Sequence, residues 1–184
     1  MSRRDVTRAF PAVESIRDDD LRDKVIDTWV DALAETGWDL DDVPWYPPEQ
    51  ERLGLPDETL VAHVNEVVDA AVGLAEVITD HRSDRVDVDM DTVLAGALVH
   101  DIGKLYEFDS EGATDVEHFF GHPYYGLYPA ARAGLPPEIT HVTLAHTGLT
   151  DVEPVTIEAE IIRRADQTVA SSIRAGVFDD LREA

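Results

Sequence analysis

Two polar residues close an otherwise apolar run. The segment 91–102 reads DTVLAGALVHDI, and a helix of that composition, with Asp91 as its candidate cap, is apolar on nearly every face until it reaches His100 and Asp101. Such a helix must be central and buried, and adjacent imidazole and carboxylate groups at its end are costly to bury without compensation. Asp166 repeats the problem on the stripe formed by Ile162, Ala165, Val169 and Ile173. A carboxylate there is either neutralised by a cation or pushed toward its protonated form. A divalent metal answers both positions at once. Imidazole and carboxylate groups suit Fe, Mn, Co, Ni or Zn, and a carboxylate can bridge two such ions. Further histidines stand on core-facing stretches at His63, His122 and His146. With no cysteine in the chain, any metal is held by nitrogen and oxygen, and disulfides and thiolate chemistry are excluded.

The elements that must position these residues read as helices. Residues 1–20 are charged and show no clear period, whereas Leu21, Val25, Trp29, Ala32 and Leu33 recur at helical spacing before Gly37. From Trp38 to Pro56 four prolines and the aromatic pair Trp45 and Tyr46 predict a long irregular connection packed on the surface. Leu60, Val64, Val67, Val68, Ala71, Leu74 and Ile78 predict a core-facing helix over 58–79, with His63 at the edge of its stripe. After a polar stretch from Asp109 to Glu117, a helix is expected from His122 to Ala133, stopped by Gly134. Another follows from Glu138 to His146, and a last long one from about Thr156 to about Val177. No strand is expected, so the fold class is all-α, a single-domain helical bundle. Residues 1–56 form an N-terminal helix and connection packed on a domain that spans 57–184.

Charge narrows the partners. The chain has 39 acidic and 15 basic residues and a net charge of −24, a surface that repels nucleic-acid backbones and anionic membranes. Apolar content of 43% and clear periodicity argue for a folded acidic protein over a disordered one. Thirteen basic residues are Arg and two are Lys, a balance resembling proteins of salt-loving organisms. At about 1 M salt the Debye length is only ~3 Å and surface repulsion is screened. There is no signal-like leader and no apolar run near the ~20 residues that span a bilayer, so the expected location is cytoplasmic.

The order His63, then HDIGK from His100 to Lys104, then His122, His146 and Asp166 resembles the HD superfamily of metal-dependent phosphohydrolases, over roughly residues 58–175. HDIGK after an apolar helix is the specific part. LVAHVNEVVDAAVGLAEV is similar to the family's first-histidine helix, HPYYGLYPAARAGLP to its third, and IIRRADQTVA to the helix bearing its last aspartate. The resemblance implies that His63, His100, Asp101 and Asp166 hold one metal, and that His122 and His146 with a bridging Asp101 hold a second. It implies hydrolysis of a small phosphate ester by a metal-activated water. The substrate would be a nucleotide, cyclic nucleotide or dinucleotide polyphosphate, the AHTG around His146 being closest to members that act on the last. Two rivals stand beside it: a di-iron oxygenase of the same fold, and a metal- or nucleotide-binding sensor without turnover.

Other residues are weighed against that centre. Lys104 survives where Lys has almost vanished, three residues after Asp101, and reads as a phosphate or transition-state contact. Arg163 and Arg164 precede Asp166 as candidate phosphate ligands or as a solvated helix face. His118 is a candidate pocket residue, while His81 and His141 read as solvated. Trp45, Tyr46 and Pro47 form either a lid over a nucleobase or a seal on the core. Oligomeric state has no signature here.

Overall fold

The structure, a computed structural model, describes residues 1–55, 57–178 and 180–183; Pro56, the last proline of the expected connection, lies outside them. The chain is helical from its start, against the reading of residues 1–20. α1 (Arg3–Ala9) is opened by a reciprocal capping box between Ser2 and Asp5, and a short 3-10 turn follows over Pro11–Ser15. Val6, Phe10, Val13 and Ile16 are each 1% exposed. Their spacing is helical, but nine charged residues among the first twenty dilute it.

α2 (Asp19–Thr36) is capped by Asp18 and ends at Gly37, whose φ of 76° is the left-handed conformation that favours glycine. The expected irregular connection contains α3 (Pro47–Leu53), started by its prolines and ended by Gly54 at φ 69°. α4 (Leu60–Arg82) begins at the cap Thr59, and α5 (Met90–Val99) at Asp89, not at Asp91. Asp91 instead accepts the backbone N–H groups of Arg17 and Asp18 at 3.0 and 2.9 Å, tying the N-terminal segment to the central helix.

Beyond α5 a 3-10 turn (Ile102–Tyr106) leads into a two-residue hairpin, β1 (Phe108–Asp109) with β2 (Gly112–Ala113), antiparallel and paired Phe108 to Ala113. This small strand pair was not expected. Then come α6 (Asp115–Phe119), α7 (Gly121–Tyr125), α8 (Leu127–Arg132), α9 (Pro137–Ala145) and α10 (Ile157–Ala175). The expected helix from His122 to Ala133 is thus two short ones meeting at Gly126.

α5 is the axis of the bundle. Thr92 to Val99 are all buried, and the helix packs against α2, α4, α9 and α10. A Cβ on Gly96 would lie 2.7 Å from Ile162 Cδ1 and 3.1 Å from Val142 Cγ2, so this glycine lets α9 and α10 come close. Trp29, fully buried, donates its indole N–H to Leu98 O at 3.0 Å. The apolar side chains of α1, α2 and the first 3-10 turn join those of α4, α5, α9 and α10 in one core. Among the described residues no helix is long and apolar enough to cross a membrane.

Candidate metal centre

All six expected ligand residues meet at one place. His63 lies in the first turn of α4, His100 closes α5, and Asp101 begins the 3-10 turn, where Lys104 N donates to Asp101 O at 2.9 Å. His122 comes from α7, His146 closes α9, and Asp166 projects from α10. The four imidazoles divide evenly between the oxygens of Asp101. His63 Nε2 and His100 Nε2 are 3.3 and 3.4 Å from Oδ2; His122 Nε2 and His146 Nε2 are 3.3 and 3.4 Å from Oδ1. Asp166 Oδ1 stands 3.1 Å from His63 Nε2 and 3.9 Å from His100 Nε2.

The residues fit a divalent metal on their own evidence. The ligand atoms of His63, His100 and Asp101 lie within 4.8 Å of one another, and so do those of Asp101, His122 and His146. Yet His63 Nε2 and His100 Nε2 are buried and make no hydrogen bond of acceptable geometry among the described residues, and the buried Asp101 Oδ2 has the Lys104 ammonium 2.8 Å away. Buried polar atoms left so are expensive. Such atoms, converging at short range from α4, the end of α5 and the turn that follows it, suit a cation, with one carboxylate lying between two groups of imidazoles.

The neighbours of the imidazoles set which nitrogen faces inward. His100 Nδ1 donates to Ala97 O at 2.7 Å and His146 Nδ1 to Val142 O at 3.2 Å. A carbonyl only accepts, so the proton is on Nδ1 and the Nε2 lone pair is free for a metal. For His122 the outer partner is Glu107, whose Oε1 is 3.0 Å from His122 Nδ1 and also accepts the His122 backbone N–H at 2.5 Å. Glu107 is 4% exposed. It is a buried carboxylate orienting an imidazole, and the sequence reading passed over it.

Charge is dense here. Burial pushes the Asp101 carboxyl up, but the Lys104 ammonium, 2.8 Å from Oδ2, and the His100 imidazole hold it well below the usual carboxylate range. Burial raises Asp166 as well, and His63 and His100 outweigh it, leaving that carboxyl ionised below its ordinary value. The histidines diverge. Burial lowers His63, but Asp101 and Asp166 together raise it above its ordinary value. Burial dominates at His122, lowering it in spite of Glu107 and Asp101.

A cavity of about 550 Å³ opens over this cluster, and Asp101, His122, His146 and Asp166 reach its floor. Trp45 and Tyr46 line its wall, as does His118. Trp45 is 3% exposed and its ring centroid is 5.6 Å from that of His63, so it is part of the wall and not a lid. It is held there because Trp45 N donates to Glu58 O and Leu60 N to Val43 O, at 3.1 and 2.9 Å. Phe119, Phe120 and Leu149 complete the rim, 68%, 57% and 71% exposed.

A family model described as "HD domain" matches residues 60–171, with all six converging residues inside it. The chain belongs to the HD-domain family. Among curated proteins it is 28% identical over 171 residues to a dihydroneopterin 2′,3′-cyclic phosphate phosphodiesterase of Methanocaldococcus jannaschii, covering 87% of this chain and 67% of that protein. It is 36% identical over 87 residues to a ribonuclease Y of Desulforudis audaxviator, covering 47% of this chain and 15% of that protein. No solved structure matches.

The other residues weighed from the sequence lie off the cluster. Arg163 and Arg164 do not line the cavity: Arg163 Nη1 donates to Glu153 at 2.7 Å, and Arg164 Nε to Glu160 at 2.8 Å. The arginine that α10 brings to the cavity is Arg174. His141 is half-buried, its Nε2 accepting the Val155 backbone N–H at 3.2 Å. His81 is exposed at the end of α4.

Proposed function

We propose that this HD domain is a divalent-metal-dependent phosphodiesterase acting on a small cyclic phosphate or nucleotide that carries an aromatic ring. The observation that carries it is the division of Asp101 between two pairs of imidazoles, which suits a pair of ions sharing one carboxylate. His63, His100, Asp101 and Asp166 would hold one ion, and His122, His146 and Asp101 the other. Two such ions supply Lewis acidity and a water acidified toward a pKa of about 7.

The side chains do the rest. Lys104, held against Asp101 Oδ2 at 2.8 Å, keeps a fixed positive charge beside the reacting phosphoryl group, where negative charge grows. Trp45 and Tyr46 shield the cluster from bulk water on one side, and the exposed Phe119 and Phe120 offer faces on which a planar ring stacks. The cyclic phosphate named for the Methanocaldococcus jannaschii relative supports a diester over a monoester.

The test is metal analysis of the purified protein with assays of a 2′,3′-cyclic nucleotide, a phosphomonoester and a dinucleotide polyphosphate. Bound divalent metal and chelator-sensitive turnover of the cyclic diester are expected. Dioxygen consumption by the reduced iron form, or metal binding with no turnover of any phosphate ester, would replace this reading with an oxygenase or a sensor.

A further inference from the structure

The cavity contains a second cation that the metal cluster does not use. Arg174 lies eight residues beyond Asp166 on α10, a rise of about 12 Å along the helix axis. Its Nε donates to Glu49 Oε1 on α3 at 2.9 Å, and its guanidinium carbon is 5.8 Å from the ring centroid of Trp45. Lys104 Nζ is 5.3 Å from the same centroid. The two are the only Lys or Arg among the described residues that line the cavity, and the one beside Asp101 is Lys104.

The anchoring leaves half of a fork open. Glu49 also accepts from Arg52, at 2.8 Å, so two guanidinium groups share one carboxylate and the trio is net positive. Arg52, opposed by partial burial and aided by Arg174, holds the Glu49 carboxyl below its ordinary value. With Nε engaged and the plane set against Trp45, the Nη groups of Arg174 have no hydrogen-bond partner among the described residues. A guanidinium fixed in this way presents parallel N–H donors matched to the oxygens of a phosphate. In a chain of net charge −24, whose cavity is also lined by Glu107 and Glu117, a positive site that contacts none of the metal ligands marks where a second negative group enters.

We infer that Arg174, oriented by Glu49, is a specificity-determining residue that binds a second phosphate of the substrate, beside Trp45 in the cavity over the cluster. This rests on the phosphodiesterase reading of the cluster. The substrate class is thereby a cyclic phosphodiester bearing a terminal phosphate, with the diester at the cluster beside Lys104 and the terminal phosphate at Arg174.

The experiment compares two ligand pairs on the metal-loaded protein. In turnover, kcat/KM for adenosine 2′,3′-cyclic phosphate is set against its 5′-phosphorylated counterpart; in calorimetry, adenosine 2′-phosphate is set against adenosine 2′,5′-bisphosphate. A preference of about tenfold or more for the second member of each pair is expected in the native protein, the scale of one charge-assisted hydrogen-bond pair. Arg174→Gln brings that ratio to near one, Arg174→Lys retains part of it, and Glu49→Gln lowers it severalfold, with unchanged helical circular dichroism in each. Turnover of the cyclic diester without any preference, or a preference that survives Arg174→Gln, overturns the inference and leaves the phosphodiesterase reading standing. A binding preference lost in Arg174→Gln without turnover of either diester upholds the anion site and overturns the phosphodiesterase reading instead.

Discussion

His63 and His122 stand at the same distance from Asp101, 3.3 Å from one oxygen and 3.3 Å from the other, and they are held there by unlike means. His63 is on α4, a helix of 23 residues packed along α5 and α10, and neither of its ring nitrogens has a hydrogen-bond partner among the described residues. Its place is set by close packing of long helices. His122 is on α7, five residues long, too short for packing periodicity to orient a side chain. There a buried carboxylate, Glu107, does the orienting, through both the ring and the backbone of the same residue. One half of the centre is a property of the bundle, and the other is assembled by a local polar device.

Asp101 is where the halves join, so its loss should be the most damaging change. Asp101→Asn keeps the shape and removes the charge that both pairs of imidazoles share. The expected outcome is loss of metal from both halves and a fall in kcat/KM of about a thousandfold or more, read by metal analysis and diester turnover. Retention of one full equivalent of metal would show that the halves are independent and that Asp101 does not bridge them.

Glu107→Gln separates the halves. The amide still accepts the His122 backbone N–H but no longer offers a carboxylate to its Nδ1. Orienting partners of this kind are worth roughly 10- to 100-fold in metal affinity. On the proposed two-ion reading, the ion on the His122 side should therefore weaken by that factor while the other is unmoved, as a metal titration would resolve. Equal weakening of both would mean that Glu107 acts through the general field of the site and not through His122.

Gly103→Ala attacks the same half by sterics. An added Cβ would lie 2.1 Å from His122 O and 2.9 Å from Gly126 N, and backbone cannot move aside as a flexible side chain can. Overpacking of this kind costs about 1–3 kcal/mol, or a drop in Tm of roughly 2–4 °C per kcal/mol in a chain of this size. Calorimetry should record that drop together with weaker binding of the ion on the His122 side. Unchanged Tm with both ions tight would show that the turn after Asp101 has room to spare.

The same contrast explains what could be read before the fold was known. Helices α4, α5 and α10 announce themselves by apolar spacing, and the polar residues that interrupt that spacing, His63, His100, Asp101 and Asp166, are the ones that meet. Residues 107–126 carry no such period. The break of the expected His122 helix at Gly126, the hairpin Phe108 to Ala113, and the role of Glu107 depend on contacts between segments that sequence spacing does not encode. A signal for Glu107 was present only as an acidic residue following directly on a turn that had to be buried. The helicity of residues 1–20 was hidden by charge, although Val6, Phe10, Val13 and Ile16 kept the period. Arg163 and Arg164 drew attention by closeness in sequence to Asp166, whereas Arg174, two turns further on, reaches the cavity because α3 comes back to meet it.

That last pair of assignments gives the smallest effect. Arg164 is bound to Glu160 one turn earlier on α10, with side chains 60% and 40% exposed, and ion pairs so open to water contribute about 0–1 kcal/mol. Arg164→Ala should accordingly move Tm by no more than about 4 °C and leave the preference between singly and doubly phosphorylated diesters where the native protein has it. Arg174 is anchored to another helix and reaches the cavity, so truncation there removes a ligand contact as well as an ion pair. Measuring the two variants side by side asks whether position on α10 or exposure to the cavity decides which arginine reads the substrate. A collapse of the preference in Arg164→Ala would answer that the outer face of the helix does, and the cavity assignment of Arg174 would fall with it.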